Sequence, residues 1–163
     1  MWHVYLYLTL LVLCTGYAFL AGGAPERWAA ALILMAVVGS LLVGPIHLVH
    51  FHSLEVDLFM VDTAFFLGVA LLALVANRWW PMAMAAFEGF AVLAHVGVSL
   101  SPGSFVPKVY AVASAFSAYP TLLILTIGTY RHRRRLARLG TDLSWSISWL
   151  RFWGPQQAPN PMH

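Results

Sequence analysis

Charged residues are scarce in this chain: only 9% of its 163 residues are Asp, Glu, Lys or Arg, whereas 61% are hydrophobic. Soluble domains carry about 25% charged residues, so this composition excludes a water-soluble globular domain. The single cysteine, Cys14, excludes an internal disulfide. The sequence also lacks a glycine-rich phosphate loop and a G-x-S-x-G motif, which argues against nucleotide binding and serine hydrolysis. It therefore predicts an integral membrane protein and favours a function without catalysis.

Five hydrophobic runs have the length of about 20 apolar residues that crosses a bilayer as a helix. They cover residues 2–20, 28–49, 56–76, 82–100 and 106–130. Turn-forming residues separate the runs, and tryptophans at the run ends suit the headgroup level of a membrane; these are Trp2, Trp28, Trp79 and Trp80. The predicted fold class is all-α, a polytopic membrane bundle of five transmembrane helices within residues 1–130. Pro45 leaves open whether the second run spans the membrane or re-enters it.

Basic residues follow the last run directly, since five of the nine lie between Arg131 and Arg138. A cluster next to a membrane span marks the cytoplasmic side of the membrane and not a nucleic-acid surface, so we expect no nucleic-acid partner. Five spans place the two termini on opposite sides, with the N-terminus outside and the C-terminus in the cytoplasm. The loops that contain Arg27 and Arg78 are then cytoplasmic as well, in agreement with the same rule.

Residues 131–163 form the predicted cytoplasmic part, made of a basic segment, a short amphipathic helix and a tail. Three tryptophans in it recur every four residues and share one helical face; they are Trp145, Trp149 and Trp153. With Thr141 or Asp142 as the N-cap, they predict an interfacial helix over 142–153 on the inner membrane surface. The alternative is a helix that docks on a partner. The basic residues expected at the same interface are Arg131, Arg133, Arg134 and Arg135.

The predicted outer end of the bundle concentrates histidines and carboxylates. Neutral imidazoles together with a carboxylate are ligands for zinc, copper or iron, so the candidate metal ligands are His47, His50, His52, Asp62 and His95. Haem is the alternative cofactor, with His95 and either His47 or His50 as its axial ligands. In a third interpretation the loop histidines are interfacial, and Asp62 pairs with His95 across two helices at a similar depth.

The fourth run also contains Glu88, which shares one helix face with His95 and Ser99. An ionised carboxylate is costly near the middle of a bilayer. One interpretation is therefore a neutral, protonated Glu88 that is hydrogen-bonded to a neighbouring helix. The other is a proton relay from Glu88 to His95, about 10 Å away along the helix axis. Hydroxyl-bearing side chains of the fifth run form a stripe that we expect to face Glu88; they are Tyr110, Ser114, Ser117 and Thr121.

Three segments carry a resemblance to known proteins: Arg78-Trp79-Trp80-Pro81, Tyr119-Pro120 and the segment from Gly128 to Arg135. The resemblance extends over the second half of the chain, and the group that the sequence resembles there is an uncharacterised set of short multi-span membrane proteins of alphaproteobacteria. The resemblance implies a bacterial inner (cytoplasmic) membrane, and it implies no activity.

The residues favour a non-enzymatic accessory or structural subunit of a larger inner-membrane complex, with the lipid bilayer and other membrane subunits as partners. Little of the chain lies outside the predicted spans, and stripes of small residues suit close helix packing. A haem- or metal-binding redox protein that uses the histidine cluster is the first alternative. A small proton-coupled permease centred on Glu88 is the second.

Overall fold

The computed structural model describes residues 2–43, 56–76, 78–100, 107–140, 142 and 145. These residues form an all-helical bundle with five helices: α1 (Trp2–Ala21), α2 (Ala24–Val43), α3 (Val56–Val75), α4 (Trp80–Leu100) and α5 (Pro107–Leu139). Three of them are long and apolar enough to cross a membrane, in the segments Val4–Ala21, Ala24–Val43 and Val56–Val75. This finding supports the predicted membrane location.

The five helices close into a ring. α3 packs against α4, α4 against α5 and α5 against α1, while α2 packs between α1 and α3 and also touches α5. Small side chains are fully buried in α1 and α2, where Ala18, Ala29 and Ala30 allow the helix backbones to approach closely. Larger side chains such as Val69 of α3 and Leu125 of α5 belong to the same buried apolar cluster.

Among the described residues, two helix boundaries differ from the predicted spans by more than two residues. α2 begins at Ala24 instead of residue 28, because a proline is accepted in the first turn of a helix and Glu26 interacts favourably with its N-terminal dipole. α5 continues to Leu139, beyond the predicted end at residue 130, because arginine is a good helix former. Gly140 then ends the helix with a φ of 71°, and its N–H donates to the carbonyl oxygen of Leu136 at 2.9 Å.

Trp80 belongs to the core, although its place at the end of a run predicted an interfacial position. It is only 2% exposed and packs on Gly128 of α5, where an added Cβ would lie 3.0 Å from three atoms of the indole ring. The neighbouring Trp79 is exposed, and the guanidinium of Arg131 lies 5.6 Å from the centroid of its ring, a cation–π geometry. The two adjacent tryptophans therefore have different roles.

Candidate functional site

Asp62 of α3 and His95 of α4 contact each other, as one of the interpretations predicted. The His95 Nε2 atom lies 2.8 Å from Asp62 Oδ2. The imidazole is 2% exposed, whereas the carboxylate is 29% exposed. The ring of Phe59 lies against the imidazole, with 5.8 Å between the two centroids. A buried imidazole is thus held between a carboxylate and an aromatic ring, and the contact joins α3 to α4.

The predicted metal site is only partly covered by the described residues. His47, His50 and His52 lie outside them, and so does the region around Pro45. Within the described ranges, no three His, Cys, Asp or Glu side chains are grouped so that they could hold a metal ion. The structure brings together Asp62 and His95 of the predicted set, and metal or haem binding stays a prediction.

Glu88 of α4 contacts Thr121 in the hydroxyl stripe of α5. The polar face of α4 and the hydroxyl stripe of α5 therefore meet at Glu88. Thr121 Oγ1 lies 2.7 Å from Glu88 Oε1 and 2.7 Å from the carbonyl oxygen of Ser117. A threonine hydroxyl has one proton to donate, and a carbonyl oxygen can only accept. Thr121 is the donor to both oxygens, so its one proton serves both contacts. Glu88, which is 4% exposed, is thus hydrogen-bonded to a neighbouring helix.

The two ends of the predicted proton relay have different neighbours. Glu88 contacts α5 through Thr121, and His95 contacts α3 through Asp62. Seven residues separate them on α4, which corresponds to about 10 Å along the axis. Each side chain thus joins α4 to a different helix.

A second polar cluster lies at the end of the bundle away from Asp62 and His95. We call this end the basic end because α5 carries its arginines there. The cluster consists of Glu26 from α2, Arg78 between α3 and α4, His132 and Arg135 from α5, and Asp142 beyond α5. The sequence did not predict this cluster, because Arg78 was interpreted as a sign of the cytoplasmic side of the membrane and Asp142 as a helix N-cap. The available signal was that Glu26 and Asp142 are the only carboxylates near the arginines of this end.

Asp142 is the centre of this cluster. The Arg78 guanidinium contacts both of its carboxylate oxygens, with Nη1 to Oδ1 at 2.9 Å and Nη2 to Oδ2 at 2.8 Å. Nδ1 of His132 lies 2.6 Å from Oδ2, and Nε of Arg135 donates to Oδ1 at 3.2 Å. Two-bond arginine–carboxylate pairs are among the strongest polar contacts in proteins, so the side chain of Asp142 is firmly held.

Glu26 is fully buried beside this pair. Its Oε1 atom lies 3.8 Å from Nε of Arg78, and neither carboxylate oxygen has a hydrogen-bond partner among the described residues. Gly23 makes room for this arrangement, because a Cβ there would lie 2.9 Å from Cε1 of His132 and 3.1 Å from Oε2 of Glu26. The charge of Glu26 is compensated by Arg78 and by the N-terminal dipole of α2.

The chain turns back over the basic end after α5. Trp145 forms an isolated antiparallel bridge with Ala76, at the end of α3. Trp145 is therefore in a bridge and not in the interfacial helix predicted over 142–153, because its backbone pairs with Ala76. Trp149 and Trp153 lie outside the described residues.

The four arginines predicted at the membrane interface all lie in the extension of α5. Arg131 stacks on Trp79, and Arg135 pairs with Asp142. Arg133 and Arg134 are exposed. The cluster therefore divides into side chains that hold the bundle together and side chains that point outwards.

Comparison with known proteins gives no match: no family model, no curated protein and no solved structure is similar to this chain. The resemblance to alphaproteobacterial membrane proteins stays a prediction.

Proposed function

We propose that this protein is a non-enzymatic accessory or structural subunit of a larger inner-membrane protein complex. The proposal rests on the contacts that the ionisable groups inside the bundle make between its helices. Asp62 contacts His95 between α3 and α4, Glu88 contacts α5, and Asp142, which follows α5, pairs with Arg78. Polar contacts in a low-dielectric interior fix the positions of the groups that make them. The helices are thereby locked together, as a rigid scaffold requires.

The outer surface of the bundle supports a role in assembly. Large apolar side chains are exposed on every helix, and on α3 they form a stripe of Leu67, Leu71 and Leu74. Residues three and four apart share one helix face, so this stripe presents a continuous apolar surface. Such a surface needs either lipid or another membrane helix as its neighbour.

In the proposed arrangement all five helices span the membrane, with the N-terminus outside and the C-terminus in the cytoplasm. α4 has 21 residues and is about 31 Å long at 1.5 Å per residue, close to the hydrocarbon thickness of about 30 Å. The 33 residues of α5 exceed that thickness, and the arginines lie in the excess. An impermeant thiol reagent should therefore label Arg138→Cys only after the membrane is opened, in a Cys14→Ser background.

Site-specific cross-linking tests the assembly role. A photoreactive amino acid at Leu71, which is 62% exposed, should cross-link to a second, identified membrane polypeptide in native membranes. The matched control is Val69, two residues away and 0% exposed, which should cross-link only within the chain. The same partner should co-purify in stoichiometric amount in mild detergent. Cross-links to lipid alone, together with a functional monomer, would overturn the proposal. A visible absorption spectrum and a metal analysis of this preparation test the haem or metal alternative.

The geometry around Thr121 favours a second candidate, a small proton-coupled permease centred on Glu88. Thr121 donates to the Glu88 carboxyl inside the bundle, where Glu88 is 4% exposed, and carboxyl groups inside membrane bundles are typical members of proton relays. Glu88→Gln keeps the shape and the hydrogen bond but carries no exchangeable acid proton. It should abolish proton flux in proteoliposomes, measured with an internal pH dye, whereas Ser40→Ala should not. An unchanged flux in Glu88→Gln would dismiss this candidate.

A further inference from the structure

A groove lies at the basic end between the end of α1 and the arginine-bearing extension of α5. Its volume is about 560 Å³, and it is open on one side. Its lining residues are Tyr17, Leu20, Ala21, Arg133, Leu136 and Ala137. Five of these six side chains present mainly carbon, and Arg133 supplies the only formal charge. The groove therefore combines an apolar wall with one guanidinium.

The groove is at the level where the bundle changes from apolar to basic. Leu20 and Ala21 end α1, and Gly23, two residues later, lies against the ring of His132. Tyr17 lies one helical turn before Ala21, about 6 Å further into the apolar part of the bundle. One end of the groove thus borders the polar cluster, and the other borders the apolar surface of α1. Headgroups and the first acyl carbons of lipids meet at such a boundary.

The charge of Arg133 has no protein partner among the described residues. Arg78 and Arg135 are paired with Asp142, and Arg131 lies over Trp79. Arg133 is therefore the charge of α5 that lines the groove and is free to pair with an anion there.

We propose that this groove binds an anionic phospholipid. The Arg133 guanidinium pairs with the phosphate oxygens, because its planar donors match that group. The acyl chains lie along Leu20, Ala21, Leu136 and Ala137. The apolar wall distinguishes this occupant from a free phosphate ion, which gains nothing from carbon surface, and the positive charge selects an anionic lipid over a zwitterionic one. The inference is independent of the proposed partner subunit.

Native mass spectrometry of the full-length protein in detergent micelles tests the proposal, after addition of phosphatidylglycerol or of phosphatidylethanolamine with the same acyl chains. Wild-type protein should retain phosphatidylglycerol preferentially. Arg133→Gln should reduce its affinity about fivefold, since one basic residue near an anionic surface contributes about that factor. Arg138→Gln is the matched control, because it removes the same charge from an exposed site on the same helix outside the groove; its affinity should fall by less than about twofold.

A second variant tests the groove itself. Ala137 is exposed and lines the groove, so Ala137→Phe fills the volume without removing charge, and it should also lose the lipid. Inorganic phosphate at millimolar concentration should leave the bound lipid in place. Three results would overturn the proposal: equal losses in Arg133→Gln and Arg138→Gln, equal retention of the zwitterionic lipid, or displacement of the lipid by inorganic phosphate.

Discussion

Arg78 and Asp142 form a two-bond ion pair across 64 residues of sequence, with nitrogen–oxygen distances of 2.9 and 2.8 Å. The side chains are 3% and 9% exposed, so the pair is largely shielded from water. It ties the connection between α3 and α4 to the segment that follows α5. With Glu26 and Arg135 included, the permanent charges of the cluster balance. The basic end is therefore neutral inside and positively charged outside.

Removing one partner of this pair should destabilise the protein strongly. Arg78→Gln leaves the charges of Asp142 and Glu26 buried with less compensation, and such changes cost about 3–5 kcal/mol. Denaturant titration in detergent micelles should show that loss in the free energy of unfolding. Arg138→Gln removes an exposed arginine and should change it by less than about 0.5 kcal/mol. Equal effects of the two variants would contradict the arrangement of the cluster.

The return of the chain over the basic end can be tested by a disulfide. Residues opposite each other in an antiparallel bridge have Cα atoms about 4.5–5.5 Å apart, which is within the range that a disulfide spans. Ala76→Cys combined with Trp145→Cys, in a Cys14→Ser background, should form a disulfide under mild oxidation. Met60→Cys with Trp145→Cys should not, because Met60 lies about 24 Å from Ala76 along α3. Protease digestion followed by non-reducing electrophoresis distinguishes the two results.

The contact between Asp62 and His95 should appear as an energetic coupling. Asp62→Ala, His95→Ala and the double variant define a double-mutant cycle, and a buried hydrogen bond to a charged group should give a coupling of about 1–3 kcal/mol. Ser40 of α2 donates to the carbonyl oxygen of Ala36 in its own helix. In a control cycle, Ser40→Ala takes the place of Asp62→Ala, and its effect on the free energy of unfolding should add to that of His95→Ala. A coupling below about 0.5 kcal/mol for Asp62 and His95 would show that the contact does not join the two helices.

Gly128 should be intolerant of any side chain. An added Cβ would lie 3.0 Å from three atoms of the buried Trp80 ring, and overpacking of this kind costs about 1–3 kcal/mol. Gly128→Ala should therefore lower the thermal midpoint, and Trp80→Leu in the same chain should restore part of it. Gly16→Ala is the control, because no atom lies within 4 Å of its added Cβ, and it should stabilise α1 by up to about 1 kcal/mol. A Gly128→Ala variant as stable as wild type would argue against this packing.

Part of the candidate site follows from the sequence because depth along a helix can be counted. Asp62 lies six residues after the start of α3 and His95 five residues before the end of α4. Consecutive spans run in opposite directions, so both residues lie one to two turns from the same end of the bundle and their contact could be predicted. The meeting of Glu88 with the stripe that contains Ser117 and Thr121 follows from helical periodicity in the same way. Which hydroxyl Glu88 contacts depends on the rotation of α5 about its axis, and spacing along the chain does not determine that rotation.

The cluster around Asp142 could not be predicted by such counting. Its members come from three regions that are far apart in the sequence, namely Glu26, Arg78 and residues 132–142. Asp142 lies beyond the end of α5, where helical spacing no longer applies. The position of Trp80 could not be predicted by counting residues either. Its position at the end of an apolar run suits a membrane interface, and only the neighbouring Gly128 on α5 provides the space that buries it.

The helical, membrane-type character of this chain follows from the order of its residues alone. Long apolar runs cannot leave backbone polar groups unpaired in lipid, and a helix pairs them within each run. Which side chains pair with each other depends on how the helices pack. Arg78 contacts Asp142, and Glu26 lies beside them, because the packing of five helices brings distant segments to one end of the bundle. Ion pairs depend on distances of a few ångströms, and only the packed helices set those distances.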